Sequence, residues 1–283
     1  MPYCCPAKVN LFLSVDGKLP DGYHAISTCM QRIGLCDELE ASARNDGSFT
    51  LKRDVPATLD ASDDLVMKAA RLLKEHAGRE ELGADIILKK RIPTGAGLGG
   101  GSSDAAGALR LLGKIWALEL GEGDYLELAS KLGSDVPFFL GPPAAWCTGR
   151  GEKTKPLVPA ELFLLLIKPP RSLSTPAVYA RYDDLERGKN DPAAFLAAYA
   201  RGDWKAVGEN LHNALTEPAL ELEPDIGRVM ALLRERTPFV SMSGSGSAVF
   251  GLFSSLAAAG AAGADIKASH PELAVCAAKT LTE

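Results

Sequence analysis

The sequence predicts an α+β protein, and three observations support this fold class. The chain has 283 residues, which is enough for one large domain or for two domains of ordinary size. Apolar residues make up 46% and charged residues 24%, a balance typical of globular proteins that bury a core. Strand and helix patterns follow one another irregularly, without a repeat of fixed period, which disfavours a simple doubly wound sheet.

In the N-terminal half, alternating apolar residues predict strands and amphipathic runs predict helices. Val9, Leu11, Leu13 and Val15 alternate with other residues, and the Asn45-Asp46-Gly47 segment is typical of a hairpin turn. We therefore predict a strand at 6–15, a hairpin at 41–53, a helix at 62–78, a strand at 84–93, and helices at 102–118 and 123–133.

Two prolines, Pro156 and Pro159, interrupt the segment 155–159, and we predict a domain boundary there, with domains 1–156 and 157–283. Before the boundary, 144–157 has strand-like residues around a glycine turn. After it, a second Gly/Ser loop runs into an apolar strand at 241–253. The other predicted elements of this half are a buried strand at 161–170 and helices at 175–185, 192–204 and 224–235.

The net charge and the cysteine content limit which binding partners and which cellular location we expect for the protein. The formal net charge is −5, so no basic field favours a nucleic acid or an anionic membrane as partner. The longest aliphatic run, at 162–167, is too short to span a bilayer, and the N-terminal residues do not resemble a signal peptide. We expect a cytoplasmic protein whose cysteines are all reduced thiols. They are Cys4, Cys5, Cys29, Cys36, Cys147 and Cys276.

The segment PTGAGLGGGSSDAA, at 93–106, contains G-x-G-x-x-G, the pattern of a dinucleotide-binding loop. That fingerprint also needs a second strand that carries an acidic residue about 20 residues further on. Glu119, Glu122 and Asp124 lie at that distance, but in a predicted turn and the start of a helix. Pro93 also interrupts the approach from the preceding strand. An oxidoreductase with bound NAD is therefore a distant alternative.

The same loop is suited to bind the phosphates of a nucleotide. Its five glycines let the backbone approach a ligand closely, and two serines then open a helix whose N-terminus attracts anions. This composition suits a polyphosphate with a metal ion better than an ordinary surface turn. No Walker A pattern and no protein-kinase H-R-D and D-F-G pair occurs, which excludes those two classes of nucleotide enzyme.

Four segments together resemble the GHMP kinases, the superfamily of galactokinase, homoserine kinase and mevalonate kinase. The glycine loop resembles their phosphate-binding motif. PAKVNLFLSVDGKLPDGYH (6–24), LGSDVPFFL (132–140) and MSGSGSAVF (242–250) resemble one branch, the 4-diphosphocytidyl-2-C-methyl-D-erythritol kinases. The resemblance extends over nearly the whole chain, in order and at fitting spacing. It implies a two-domain fold with the active site in the cleft between the domains.

The resemblance implies ATP-dependent phosphorylation of the 2-hydroxyl of 4-(cytidine 5'-diphospho)-2-C-methyl-D-erythritol, a step of non-mevalonate isoprenoid biosynthesis, with ATP and Mg²⁺ as cofactors. It makes Asp135 the catalytic carboxylate and Lys8 its partner, and Ser103 is the candidate Mg²⁺ ligand. The implied substrate-binding residues are Asn10, Tyr23, His24, Thr175 and Tyr179. The implied ATP-binding residues are Pro93, Thr94, Gly95, Ala96, Gly97, Leu98, Gly99, Gly100, Gly101, Ser102 and Ser103.

Taken without the resemblance, several of these residues have structural alternatives. Asp135 could equally cap a turn, Tyr23 and His24 could pack on a hairpin loop, and Tyr179 could be ordinary helix packing. Two positions depart from the branch, which commonly carries Asn where this chain has Asp64 and Asp where it has Ala214.

Two alternatives and the oligomeric state stay open. The protein could be another GHMP small-molecule kinase, of the homoserine or mevalonate type, or a catalytically silent nucleotide-binding homologue. The DGYH segment argues against the first, because those enzymes hold no cytosine. The presence of both Lys8 and Asp135 argues against the second. A homodimer is left open as well, because the sequence does not specify the oligomeric state.

Overall fold

A computed structural model describes residues 2–55, 64–185 and 190–283 and confirms the α+β class, with eleven strands and nine α-helices among these residues. The chain divides into two compact units, and each unit combines several chain segments. The first unit contains Met1–Ala7, Leu35–Ile92 and Gly99–Gly141; the second contains Lys8–Gly34, Pro93–Leu98 and Pro142–Glu283. The domain boundary at 156/157 stays a prediction.

Two long strands, β1 (Tyr3–Lys18) and β2 (His24–Arg44), contribute residues to both units. In the first unit, β4 (Gly83–Lys89) is antiparallel to the end of β2 and parallel to β3 (Phe49–Arg53). The predicted hairpin at 41–53 is therefore wrong. The turn does form, but β4 pairs with both flanking strands, so β2 and β3 do not pair through the turn.

Three helices of the first unit pack on one another: α1 (Leu65–Ala77), α2 (Gly100–Ile115) and α3 (Glu122–Leu132). The predicted helices are confirmed, and Gly78 ends α1 in a left-handed conformation, with φ of 63°. Helix α2 begins two residues earlier than predicted. A single 3-10 turn, Pro137–Leu140, packs against α2 and α3.

The expectation of six reduced cysteines is wrong for Cys4 and Cys36, which form a disulfide. Both belong to the first unit, Cys4 near the start of β1 and Cys36 in β2, and their Cα atoms are 5.9 Å apart. This Cα–Cα distance suits a disulfide. The two cysteines are 32 residues apart in the sequence, so no local pattern indicated that they pair. Cys5, Cys29 and Cys276 are free thiols, Cys147 is buried, and burial raises the pKa of Cys29.

The second unit contains the C-terminal half of the chain. The helix predicted at 192–204 is wrong as a single element. It divides at Gly202, whose φ is 65°, and Asp203 caps the next helix. The elements from Pro142 to residue 222 are β5 (Ala144–Thr148), β6 (Lys153–Pro156), β7 (Phe163–Lys168), α4 (Thr175–Asp183), α5 (Ala193–Ala200), α6 (Trp204–Glu209), β8 (His212–Asn213) and α7 (Thr216–Leu222).

An antiparallel sheet forms the centre of the second unit. Its strand order is β11 (Ala274–Lys279), β7, β10 (Val249–Phe253) and β9 (Val240–Met242). Helices α8 (Asp225–Arg234) and α9 (Leu256–Ser269) pack on this sheet. Apolar side chains of the sheet and both helices form one core, which includes Leu165, Ile167, Ile226, Leu233, Val249, Ala259 and Ile266. Every helix in the described part of the chain is too short or too polar to cross a membrane.

Candidate active site

The first part of the glycine loop, Pro93–Leu98, lies in the second unit and has backbone conformations that favour glycine. Gly95 and Gly97 have φ values of 61° and 74°. A Cβ atom at Gly95 would lie 2.7 Å from Ser172, and one at Gly97 would collide with the carbonyl oxygen of Ser243. Glycine is therefore required here for the loop to approach its neighbours closely.

The second glycine motif packs against this loop. Ser243 donates a hydrogen bond from Oγ to the carbonyl oxygen of Gly97 at 2.9 Å, and the N–H of Ala248 donates to the carbonyl oxygen of Ala96 at 3.1 Å. Asn213 supports the motif, since its Nδ2 donates to the carbonyl oxygens of Met242 and Gly244. The two glycine segments therefore form one backbone assembly.

Lys8 lies directly beside the loop. Its N–H donates to the carbonyl oxygen of Leu98 at 2.9 Å, and its side chain is buried. Its Nζ donates to Oδ1 of Asn10 at 2.6 Å, and Nδ2 of Asn10 donates to Oγ1 of Thr28 at 2.8 Å. The structure thus places Asn10, predicted to bind substrate, where it orients the Lys8 ammonium.

A second group of predicted residues meets around His24. The His24 ring stacks on Tyr179, with ring centroids 4.7 Å apart and an interplanar angle of 21°. Its Nε2 lies 2.6 Å from Oδ1 of Asp183, and Lys18 contacts the other carboxylate oxygen at 2.7 Å. The hydrogen bonds from Lys18 and His24 lower the pKa of Asp183. Asp183 thereby holds the imidazole in place, although no sequence pattern had indicated it.

Two further predicted residues flank this group. Thr175 lies at the start of α4, and its Oγ1 is 2.8 Å from Oγ of Ser245 in the second glycine motif. The Tyr23 ring is 57% exposed, and the Arg150 guanidinium lies 4.2 Å from its centroid while pairing with Asp21. An exposed aromatic face beside a cation is suited to stack on a planar base. Arg150 is a further residue that the sequence did not indicate.

The rest of the glycine loop opens helix α2 in the first unit. Gly99 precedes the helix with φ of 70°, and no side chain of the described residues caps the helix N-terminus. Ser103 is 2% exposed, and its Oγ is buried without a hydrogen-bond partner in the part of the chain that the structure describes. A buried hydroxyl without a partner costs free energy, so this end of α2 is prepared for a ligand that accepts or donates hydrogen bonds.

Asp135 is half-buried in the turn that follows α3. The N–H of Val136 closes this turn on the carbonyl oxygen of Gly133, at 3.2 Å, and the 3-10 turn begins at Pro137. Because that 3-10 turn packs on α2, the first unit brings the Asp135 segment beside the helix that carries Ser103.

The two departures from the family pattern have local structural roles. Asp64 caps α1, since its Oδ1 accepts the N–H groups of Val66 and Met67, and it pairs with Arg53. An aspartate suits the N-cap as well as an asparagine does. Ala214 is buried in the core of the second unit, where an aspartate would need partners.

A cluster of Asp37, Lys90 and Asp104, which we call the buried triad, lies behind the start of α2 in the first unit. Lys90 Nζ contacts Asp37 Oδ2 at 2.5 Å and Asp104 Oδ2 at 2.7 Å. Burial raises the pKa of Asp104 to about 7. The lysine and the aspartates are common residue types, so nothing in their spacing had indicated this cluster.

The comparisons with known proteins agree on the family and the fold. Sequence models described as GHMP kinases N terminal domain and GHMP kinases C terminal match residues 64–141 and 194–272. A crystal structure of mevalonate kinase from L. major has a TM-score of 0.78 over 100% of this chain and 96% of its own. Its 16% identity shows the shared fold alone.

Relatives of one activity are similar over most of the chain. 4-Diphosphocytidyl-2-C-methyl-D-erythritol kinase from Ralstonia nicotianae is 39% identical, covering 88% of this chain and 83% of its own. The enzyme of that name from Pelotomaculum thermopropionicum is 41% identical, covering 89% of each chain. A crystal structure of 4-(cytidine 5'-diphospho)-2C-methyl-D-erythritol kinase has a TM-score of 0.81 at 36% identity, covering 99% of both chains. The chain therefore belongs to the GHMP kinases and, within them, to the family of 4-diphosphocytidyl-2-C-methyl-D-erythritol kinases.

Proposed function

We propose that this protein transfers the γ-phosphoryl group of ATP to the 2-hydroxyl of 4-(cytidine 5'-diphospho)-2-C-methyl-D-erythritol. The observation that carries the proposal is the place of Lys8. The backbone N–H of Lys8 binds the glycine loop, and the buried ammonium group of the same residue is oriented by Asn10. A fixed cation next to a phosphate-binding loop is suited to phosphoryl transfer, where charge stabilisation and positioning provide most of the catalysis.

ATP and Mg²⁺ fit the residues at the start of α2. The uncapped N–H groups of that helix and the closely packed glycines suit phosphate oxygens. The unpartnered Oγ of Ser103 is an oxygen ligand of the kind that Mg²⁺ accepts, alongside waters and phosphate oxygens. When bound, Mg²⁺ neutralises charge on the β- and γ-phosphates. We assign Ser103 to hold the ion and the glycine loop to hold the phosphates.

Asp135 and Lys8 have complementary roles in this proposal. The Asp135 carboxylate accepts the proton of the acceptor hydroxyl while the oxygen of that hydroxyl forms the bond to the γ-phosphorus. The bond from that phosphorus to the β–γ bridging oxygen breaks, and ADP leaves. Lys8 stabilises negative charge on the attacking oxygen and on the transferring group. Neither residue exchanges atoms with the substrate apart from the proton.

The cytidine end of the substrate is assigned to the residues around His24. Tyr23 presents an exposed aromatic side chain, and the His24 ring, stacked on Tyr179, is held in one orientation by Asp183. Thr175, paired with Ser245, links this group to the second glycine motif. Aromatic faces beside an oriented imidazole suit a cytosine, which stacks and also forms hydrogen bonds through its edge. A cytoplasmic location is part of the proposal.

Replacing Tyr23 should affect the KM for the cytidine substrate and the KM for ATP differently. We expect Tyr23→Ala to raise the KM for the cytidine substrate by about 5- to 150-fold, because base stacking contributes about 1–3 kcal/mol. The KM for ATP should change much less. Steady-state kinetics with each substrate varied in turn measures both, and Tyr23→Phe, which keeps the aromatic face, is the matched control. An equal rise in both KM values would remove the stacking role.

A panel of acceptors tests the proposed reaction. Purified protein is incubated with ATP and Mg²⁺ and, separately, with the cytidyl-erythritol compound, homoserine or mevalonate, and phosphorylated product is measured by mass spectrometry. We expect product only from the cytidyl compound. Product from homoserine or mevalonate instead would favour another GHMP kinase activity, and no product from any acceptor would favour a silent homologue.

A further inference from the structure

The buried triad is made of charged groups that solvent hardly reaches. Asp37 is 0% exposed, Asp104 is 2% exposed, and the Lys90 side chain lies between their carboxylates with 12% exposure. Burying charges is costly even when they are paired, and a well-packed apolar cluster often gives the same stability. A contribution to stability alone is therefore a weak explanation for this arrangement.

The contacts of the triad join both flanks of the glycine loop. On the incoming side, Asp37 Oδ1 accepts the N–H groups of Arg91 and Ile92, at 2.5 and 2.8 Å, immediately before Pro93. On the outgoing side, Asp104 belongs to the second turn of α2, five residues after Gly99. Lys90 connects the two sides through its single ammonium group.

The triad also lies against the loop-to-helix junction itself. A Cβ atom at Gly100 would lie 2.9 Å from the Ile92 side chain and 3.4 Å from Lys90 Nζ. The first residue of α2 is thus packed directly on the segment that Asp37 holds. A shift of Lys90 would be transmitted to the N–H groups at the start of the helix, because packed interiors leave little free space.

We propose that Asp37, Lys90 and Asp104 are positioning residues that hold the two flanks of the glycine loop at a set separation and so align the phosphate-binding N–H groups of α2. This proposal rests on the assignment of that loop to ATP. The triad touches no reacting atom; it acts through the backbone of Arg91 and Ile92 and through the first turns of α2. Misplacement of such donors by about 1 Å is enough to cost about 100-fold in rate.

The double variant Lys90→Met/Asp104→Leu tests the proposal by removing the contacts through which Lys90 connects the two flanks. It replaces the ammonium of Lys90 and the carboxyl of Asp104 with apolar groups of similar size. Because Asp37 then stays buried without its ion pair, we expect a lower melting temperature than that of the wild type, and the kinetics are measured well below the midpoint of the variant. Asp37 keeps its two backbone hydrogen bonds. The KM for ATP should rise about 10- to 100-fold, with little change in the KM for the cytidine substrate.

Two controls separate positioning from general damage. Lys89→Met alters the neighbouring lysine of β4, which pairs at the surface with Glu40, and should behave as the wild type. Asp104→Asn keeps an oxygen that accepts from Lys90 Nζ and should stay within about threefold of the wild-type KM for ATP, whereas Asp104→Leu should resemble the double variant.

Amide hydrogen exchange gives a readout that does not need activity. Without nucleotide, residues 93–104 of the double variant should exchange faster than in the wild type, and the sheet of the second unit should not. Unchanged exchange and an unchanged KM for ATP would overturn the positioning role, as would an equal rise in both KM values. If the wild type transfers no phosphate from ATP, the proposed function fails, and the exchange measurement still tests the triad.

Discussion

Asp135→Asn should lower kcat by about 10²–10⁴-fold while leaving the protein folded. Asparagine has nearly the same shape as aspartate, but it cannot accept the proton of the acceptor hydroxyl, and positioned general bases contribute a factor of this size. The KM values for ATP and for the cytidine substrate should change little, because the proton transfer occurs on the way to the transition state. Single-turnover kinetics by rapid quench measures the chemical step directly.

The fold and a matched carboxylate serve as controls for that variant. Thermal melting should give the wild-type midpoint, since Asp135 lies half-buried in a turn whose backbone hydrogen bond the substitution leaves intact. Glu127→Gln, in an exposed pair with Lys131 on α3, removes a charge from the same unit and should retain wild-type kcat. Turnover of Asp135→Asn near the wild-type value would exclude Asp135 as the base.

Lys8→Met should lower kcat by about 10²–10³-fold, the cost of removing one preorganised group that stabilises transition-state charge. Methionine fills a similar volume in this buried position, so the loss isolates the ammonium group. The loop contact persists, because the N–H of residue 8 still donates to the carbonyl oxygen of Leu98. Steady-state kcat, together with the binding of a non-hydrolysable ATP analogue, distinguishes lost chemistry from lost binding.

Asn10→Ala adds a test of how Lys8 is held. Without the oxygen that accepts from Nζ at 2.6 Å, the ammonium loses its orientation but not its charge, so kcat should fall by less than in Lys8→Met. Lys153→Met, an exposed lysine of β6 in the same unit, is the control for loss of one positive charge. If Lys8→Met kept wild-type kcat, Lys8 would have no part in the phosphoryl transfer.

Local signals predicted the parts of the fold that depend on neighbours in sequence. Helix α1 was predictable because an apolar face and a terminal glycine lie within one segment, although its cap, Asp64, was not the predicted one. Both glycine segments were recognisable because each motif lies within one run of consecutive residues. The hairpin at 41–53 and the single helix at 192–204 were wrong, because the pairing of β4 and the turn at Gly202 each overrode a plausible local pattern.

The resemblance predicted candidate site residues, but not the contacts that hold them. His24 and Asp183 are 159 residues apart, and Asn10 and Ser243 are 233 residues apart, so no local pattern links them. Arg150, Asp183 and the buried triad were missed because an arginine, an aspartate or a lysine is most often an exposed residue. Their roles follow from the groups against which they pack.

By itself, the sequence determined the α+β class and the kinase family, and it predicted the phosphate loop and the candidate catalytic pair. These depend on composition, local periodicity and short motifs, which are written in consecutive residues. Only the tertiary structure decided that β4 separates β2 from β3, that Cys4 pairs with Cys36, and that Asn10 orients Lys8. Each of these depends on strand register and side-chain packing between distant segments, and such contacts are selected by the folded chain as a whole.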